Sequence, residues 1–324
     1  MRSSRARPLT VVRVVVALLV LAAVVWGVAR NWPEISVDLR RVDASTLALS
    51  TLFAAVGTWL TMLGWRILLA DLGSPLHLAP AAGVFFVGQL GKYLPGSVWS
   101  VIAQADMAAR LDVPRRRTGV VGLVAIGLSV LTGILVGLPA VPHLLRSSSG
   151  GGGWLLLAIP AVAVVCWPPL LNRLIALGLR VLRRQPLEHE LSTRAVLATV
   201  ALYVLAWLCF GAHTLVLAAT IAGPGAPGLT VAALTGYALA GSLGMLTVVL
   251  PAGLGAREGI MTLVLASAMP VSAGTAVAIV SRFVITVVDV LAAGAGWAYA
   301  RRHHLTVYGG AAAELAPSDT DQLP

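Results

Sequence analysis

Residues 78–110, LAPAAGVFFVGQLGKYLPGSVWSVIAQADMAAR, form an apolar stretch that is interrupted at its centre by Gly91-Lys92-Tyr93-Leu94-Pro95-Gly96. The two arms have about 13 residues each, whereas a helix needs about 20 apolar residues to cross the hydrocarbon layer. Neither arm is therefore long enough to cross a membrane separately. We predict a re-entrant helical hairpin over about residues 78–110, in which two short helices enter and leave on the same side.

A second apolar stretch, residues 229–270, is interrupted by LPAGLGAREG at positions 250–259, and its second arm is also short. The two stretches share a weak sequence likeness: Gln89-Leu90-Gly91 and Leu94-Pro95-Gly96 correspond to Ser242-Leu243-Gly244 and Leu250-Pro251-Ala252-Gly253. Two such broken segments are typical of inverted-topology repeats, in which the breaks meet near the bilayer midplane and form a substrate site. We therefore predict a second hairpin over about residues 229–270.

The composition indicates an all-α polytopic membrane protein. Hydrophobic residues make up 58% of the 324 residues and charged residues 11%, against about 25% charged in an average soluble domain. We predict six full transmembrane helices beside the two hairpins, all within one transmembrane domain over residues 1–308, and a disordered cytoplasmic tail over residues 309–324. The six predicted spans are Leu9–Ala29, Thr46–Ala70, Thr118–Ala140, Trp154–Leu171, Ala195–Ala222 and Gly274–Ala300.

The first of these spans follows a basic N-terminus and so resembles a secretory signal peptide. Its apolar run is longer than a usual signal core and further spans follow it, so we expect an uncleaved first helix. Within the third span, Gly133 and Gly137 form a G-x-x-x-G pair, a pattern that indicates close packing between membrane helices.

Arginine placement predicts the orientation. With the N-terminus in the cytoplasm and both hairpins re-entrant, sixteen of the 23 basic residues lie on the cytoplasmic side, in agreement with the positive-inside rule. The arrangement predicts a bacterial inner-membrane protein with both termini in the cytoplasm. Because the arginines cluster in short links and form no basic domain, we expect no nucleic-acid partner. Three basic residues fall at membrane depth: Lys92, Arg257 and Arg282.

The breaks are the candidate functional site. Backbone that leaves the helical conformation at membrane depth has to be satisfied by protein or by water in a cavity. Pro95 ends the first arm and Gly96 permits a tight turn, so the next arm begins with free N–H groups that favour an anion. Lys92 adds a compact positive charge beside them, and Tyr93 is placed either to contact a lipid or to pack.

The second break repeats this pattern with Arg257 and Glu258 at the start of its second arm. The alternative for this pair is that the two side chains snorkel or pair at the interface. Arg282 and Asp289 lie seven residues apart on the last span, and so nearly on one face. They form either an ion-path or substrate-binding pair or a structural bridge to the opposite hairpin. Charges at such depth usually face a bundle interior or an aqueous path.

Two other polar groups near these segments have simpler explanations. Gln104 and Asp106, on the returning arm of the first hairpin, are placed to line its mouth, although an acid at a helix end is common. His213 lies within a span, where a histidine is more often a packing residue than a proton relay. We find no nucleophile motif, phosphate-binding loop or zinc pattern, and we predict neither a cofactor nor a metal site.

The sequence resembles the transmembrane flippase module of lysylphosphatidylglycerol synthases and its stand-alone relatives. The resemblance is carried by Gly91-Lys92-Tyr93-Leu94-Pro95-Gly96 with Val98-Trp99, and by Pro251-Ala252-Gly253-Leu254-Gly255-Ala256-Arg257-Glu258-Gly259, and it covers about residues 10 to 300. It implies movement of a lipid between leaflets. The soluble aminoacyl-transferase domain of the full synthases has no counterpart in this sequence, so the resemblance does not imply lysine transfer.

Three functions remain open at this stage. The first is a translocase or transporter for an anionic phospholipid or a polyprenyl-linked lipid, with membrane lipids as its partners and with a headgroup site formed by Lys92, Tyr93, Pro95, Gly96, Arg257, Glu258, Arg282 and Asp289. The second is an intramembrane enzyme acting on a lipid phosphate or carrier, with Glu258 or Asp289 as its base. The third is a scaffold for a separately encoded glycosyl- or aminoacyl-transferase.

Overall fold

The computed structural model describes residue 29 and residues 32–94, 98–141, 167–223, 225–247 and 253–302. Within these ranges the chain forms α-helices and short 3-10 turns and contains no strand. The helices are α1 Trp32–Leu39, α2 Ala44–Asp71, α3 Leu78–Gln89, α4 Trp99–Ala109, α5 Arg115–Gly137, α6 Pro168–Val181, α7 Thr193–Ala222, α8 Leu229–Leu246, α9 Ala256–Leu265 and α10 Val271–Arg302.

Five described helices are long and apolar enough to cross a membrane: α2, α5 with the turn that follows it, α7, α8 and α10. Four of them confirm predicted spans, and the all-α polytopic membrane fold is confirmed with them. The fifth, α8, has 18 residues. It belongs to the segment predicted as the second hairpin, so re-entrance of that segment stays a prediction. The residues of the predicted span Leu9–Ala29 other than Ala29 lie outside the described residues. So do residues 154–166 of the predicted span Trp154–Leu171 and the predicted tail at 309–324.

Helix ends follow from local sequence. The side chain of Asp43 accepts a hydrogen bond from the backbone N–H of Thr46 and caps α2, and Ser192 caps α7 in the same way through Ala195 N–H. α6 begins at Pro168, after Trp167 in an extended conformation, because proline fits the first turn of a helix where no N–H is needed. The predicted span end at Leu171 is therefore wrong, because a helix begins at Pro168 and continues to Val181.

The antiparallel pair α2 and α7 forms the centre of the bundle. Their contacts run in reverse order along the two chains: Thr46 with Thr220, Ser50 with His213, and Asp71 with Ser192. Glycines on α2 receive aromatic rings from α7. A Cβ atom added at Gly57 would lie 2.8 Å from the ring of Phe210, so only glycine allows this approach.

The remaining helices pack around this pair in an exchanged arrangement. After α2 come α3, α4 and α5; after α7 come α8, α9 and α10. α3 packs on α10 and α4 on α5, whereas α8 packs on α5 and α9 on α10. Each short second arm thus contacts the long helix of its own half, and each first arm contacts the long helix of the other half. Because α2 and α7 run in opposite directions, this is the packing expected of the predicted inverted repeat.

The G-x-x-x-G pair of α5 is confirmed as a close-packing site. A Cβ at Gly137 would lie 2.8 Å from the Cα of Leu239, and one at Gly133 would overlap the side chains of Ser242 and Trp207. Glycine at both positions therefore lets α8 approach the backbone of α5 directly. The close approach holds the first arm of the second half against the long helix of the first half.

Candidate functional site

The first break places Lys92 and Tyr93 at the centre of the bundle. α3 ends at Gln89 and continues as a 3-10 turn over Leu90–Tyr93. Gly91 permits the turn to touch the next arm: a Cβ there would lie 2.5 Å from the backbone nitrogen of Ser100. Pro95 and Gly96, which we predicted to shape this turn, lie outside the described residues.

Asp289 of α10 receives the polar groups of this turn. The ammonium of Lys92 lies 2.7 Å from Asp289 Oδ2, and the Tyr93 hydroxyl donates to the same oxygen at 2.6 Å. The Asp289 side chain is 4% exposed, whereas that of Lys92 is 30% exposed. The pair therefore links the first break to the last described helix and leaves part of the Lys92 side chain accessible.

The second break is also linked to α10 by an ion pair, but here the break supplies the acid and α10 supplies the base. Arg282 Nη1 of α10 donates to Glu258 Oε1 at 3.0 Å. The other carboxylate oxygen, Glu258 Oε2, accepts the backbone N–H of Gly255 at 2.8 Å, as in a capping box at the start of α9. Gly255 has a φ of 83°, in the left-handed region that favours glycine. Glu258 thus both starts α9 and holds Arg282.

Arg257 is the third cation at the two breaks, and its contacts differ from those of Lys92 and Arg282. Its Nε lies 3.7 Å from Glu258 Oε1, beyond hydrogen-bond reach. Its Nε and Nη2 are buried and have no hydrogen-bond partner among the described residues. The guanidinium lies over the ring of Tyr237 at 5.0 Å from the centroid, a cation–π contact that offsets only part of the cost of burial.

These side chains line one cavity of about 230 Å³. Lys92, Tyr93, Arg257, Arg282 and Asp289 all face it, and Glu258 holds one of the cations from behind. The other walls come from α2, α3, α4, α5, α7 and α8 and include aromatic and neutral polar side chains: Thr58, Thr61, Trp65, Gln89, Gln104, Ser129, Tyr203, Trp207, Phe210 and Tyr237. Three basic groups and two acidic groups thus meet where the two interrupted segments converge.

The predicted alternatives can be compared with this geometry. Arg282 and Asp289 do form bridges, one to each interrupted segment, and both also line the cavity. Arg257 and Glu258 are 12% and 17% exposed in their side chains, so Arg257 faces the cavity and does not extend toward a solvated interface. Gln104 lines the cavity as expected, whereas Asp106 pairs with Arg115 at the exposed helix end.

Sequence reasoning missed the aromatic wall and Thr286, whose hydroxyl lies 3.5 Å from the Tyr93 hydroxyl. Tyr237 underlies Arg257 and stacks on Phe210 with centroids 5.4 Å apart, yet in sequence it is a single tyrosine within an apolar run. The nearby glycines Gly236 and Gly241 were the feature of the sequence that could have indicated close packing around Tyr237, because they let neighbouring side chains approach. His213 has a serine at each ring nitrogen, Ser50 and Ser281, which agrees with a packing role.

Within the described ranges no cluster of histidine, cysteine, aspartate and glutamate has the geometry of a metal site.

The comparison with known families agrees with this architecture. No curated protein sequence matches the chain significantly. The family model of the lysylphosphatidylglycerol synthase TM region matches residues 11–293, a range that includes both interrupted segments and the ionisable residues of the cavity. Members of this family have a lipid-related role in the membrane, and a multi-pass protein of this kind contacts membrane lipids. The chain belongs to the lysylphosphatidylglycerol synthase transmembrane-region family.

Proposed function

We propose that the protein is a lipid translocase or lipid-binding transporter that takes an anionic headgroup into the cavity. The observation that supports this best is the convergence of both interrupted segments and α10 on one space with three basic side chains. The headgroup phosphate would belong to a phospholipid or a polyprenyl-linked lipid. Phosphate suits both the point charge of Lys92 and the planar donors of Arg257.

The two cations would play different parts. Arg257 has buried donors that no described residue fills, so a phosphate gains hydrogen bonds there without displacing another acceptor. Lys92 already contacts Asp289, so a phosphate has to share or replace that carboxylate. Binding at Lys92 would then loosen the link between the first break and α10, which is the kind of change that opens a carrier to one side.

The proposal includes a bacterial inner-membrane location with both termini in the cytoplasm. The fold supports it because basic links that are distant in sequence meet at one end of the bundle. Arg116 and Arg117, in the first turn of α5, both contact Glu188, which lies in the link between α6 and α7. Such a concentration of basic links on one face is what the positive-inside rule requires. Opposite entry of the two hairpins would give access from either leaflet.

A leaflet-accessibility assay in reconstituted vesicles tests the proposal. The variants are Lys92→Ala and Arg257→Ala, and the matched control is Arg115→Ala, because Arg115 is exposed and pairs with an exposed aspartate. We expect both cavity variants to lower the rate of lipid movement by at least tenfold and the control to keep the wild-type rate. Wild-type rates in both cavity variants would show that the mechanism is wrong.

The same variants separate the other two functions. An intramembrane enzyme needs a free base, whereas Glu258 and Asp289 are both held in ion pairs; release of product from a labelled lipid by the purified protein would nevertheless establish it. A scaffold predicts that neutral replacements at Lys92 and Arg257 are tolerated while a separately encoded glycosyl- or aminoacyl-transferase still binds.

A further inference from the structure

The described side chains of the cavity carry an excess of one positive charge. Lys92, Arg257 and Arg282 contribute three positive charges, and Glu258 and Asp289 contribute two negative charges. Residues 95–97 and 248–252, which complete the two breaks in sequence, are Pro-Gly-Ser and Val-Val-Leu-Pro-Ala and carry no ionisable side chain. An excess charge at membrane depth is costly unless a ligand balances it. A ligand with one negative charge would balance this excess.

Arg257 marks where that charge binds. Its Nε and Nη2 point along one edge of the planar guanidinium, and both are buried without an acceptor in the described part of the chain. Two oxygens of a phosphate fit such an edge as parallel hydrogen bonds. The ring of Tyr237 below the guanidinium blocks one face and leaves this edge as the binding direction.

A cationic headgroup has no such place. Among the acidic residues whose side chains the structure describes, only Asp289 lines the cavity, with Glu258 beside it. Asp289 already holds Lys92 and Tyr93, and Glu258 already holds Arg282 and the start of α9. An ammonium would enter a cavity of like charge and find both carboxylates occupied.

The remaining walls fit a neutral headgroup with hydroxyl groups. The side-chain amides of Gln89 and Gln104 and the hydroxyls of Thr61 and Ser129 line the cavity, and these groups both donate and accept hydrogen bonds. Trp207 lies beside them and offers an apolar ring. We infer, on the basis of the proposed function, that the ligand is a lipid with one phosphodiester charge on Arg257 and an uncharged polyol or sugar headgroup along this wall.

The size of the cavity indicates that the acyl chains stay outside. At about 230 Å³ it is below the roughly 300–1,000 Å³ of pockets that enclose a drug-sized ligand. Leu94 and Met245 line it and are 53% and 45% exposed, so the cavity has apolar residues at its rim where lipid chains can rest. A headgroup inside and chains against the rim therefore account for both observations.

Binding to the purified full chain in detergent tests the inference, with short-chain lipids that share the dioctanoyl tail. The probes are phosphatidylglycerol, phosphatidylethanolamine, phosphatidic acid, diacylglycerol and lysine-esterified phosphatidylglycerol, with free glycerol 3-phosphate as the soluble source of phosphate. We expect phosphatidylglycerol to bind at least tenfold more tightly than each of the others. In Arg257→Gln its advantage over diacylglycerol should fall below threefold, whereas Arg257→Lys keeps part of it and the control Arg115→Gln keeps all of it.

The inference is overturned if phosphatidylethanolamine or the lysine ester binds as tightly as phosphatidylglycerol, or if Arg257→Gln keeps the wild-type preference. The ranking on the wild-type protein decides the matter even if a variant fails to fold. The expected ranking without lipid movement in vesicles would leave the inference intact and remove the translocase. Lipid movement that depends on Lys92 and Arg257, combined with preferred binding of the lysine ester, would support the translocase and overturn the inference.

Discussion

The carboxylate of Asp289 lies 2.7 Å from the ammonium of Lys92 and is the more deeply buried partner, with 4% of its side chain exposed. The contact joins the first interrupted segment to the last described helix. A buried ion pair adds little stability over a neutral pair of the same shape, but loss of one partner leaves the other charge without compensation. Replacement of one of the two residues should therefore cost more stability than replacement of both.

A double-mutant cycle at this pair measures that dependence. We expect Lys92→Met to lower the free energy of unfolding by about 3 kcal/mol, because Asp289 then stays buried with only the Tyr93 hydroxyl. The double variant Lys92→Met, Asp289→Asn should lose less than Lys92→Met alone. Denaturant unfolding in mixed micelles gives these values. Additive losses in the double variant would show that the two charges are not coupled in the folded protein.

Glu258 combines two roles that different substitutions separate. Glu258→Gln keeps an oxygen for the Gly255 N–H but removes the charge that holds Arg282, whereas Glu258→Ala removes both contacts. We expect Glu258→Ala to be less stable than Glu258→Gln by about 1 kcal/mol, the usual contribution of a helix cap. Thermal unfolding of the two variants side by side checks this. Equal stability would mean that the cap contributes nothing.

Glycine substitutions test the close approach at the first break. A Cβ at Gly91 would lie 2.5 Å from the backbone nitrogen of Ser100, whereas one at Gly127 on α5 meets nothing within 4 Å. We expect Gly91→Ala to destabilise the protein by about 1–3 kcal/mol through overpacking. Gly127→Ala, the matched control, should be neutral or stabilising because alanine is the better helix former. A Gly91→Ala variant as stable as Gly127→Ala would contradict the packing.

Glu188 provides a pH-dependent contact outside the spans. The hydrogen bond from Arg117, together with one from its own backbone and the charge of Arg116, lowers the pKa of Glu188 from 4.5 to about 2. Because the folded pKa is depressed, the contact stabilises the fold fully above pH 4.5 and is lost as the pH falls through about 2. Carboxyl NMR of labelled protein should show this, with the pKa rising toward 4.5 in Arg117→Gln. An unchanged pKa in that variant would assign the shift to another cause.

Hydropathy was sufficient to predict most of the long helices. The predicted spans Thr46–Ala70 and Ala195–Ala222 differ from α2 and α7 by two residues or fewer at each end, because a run of apolar residues in a membrane has few alternatives to a helix. The end at Leu171 could not be placed in this way. Hydropathy does not detect the start of a new helix inside an apolar run, and here only the Pro168-Pro169 pair indicated it.

The sequence predicted which residues form the site, but it did not predict which acidic residue pairs with which basic residue. Depth in the membrane selected Lys92, Arg257, Arg282 and Asp289 because charges there are rare. Which acid holds which base depends on how α10 packs between the two interrupted segments, and spacing along one helix carries no information on that. For the same reason the sequence did not show that Arg257 keeps two buried donors without an acceptor among the described residues.

The exchanged packing of the two halves has a consequence for the lipid movement proposed above. α5 and α10 hold matching places in the two halves, yet α5 has no ionisable residue after Arg117, whereas α10 has Arg282 and Asp289 within its apolar part. The packing of the helices is thus nearly two-fold symmetric, whereas of these two matching helices α10 alone has ionisable residues in its apolar part. If the protein translocates a lipid as proposed and its halves exchange conformations, the two end states are unequal in energy for an anion, so the two directions of movement should differ in rate.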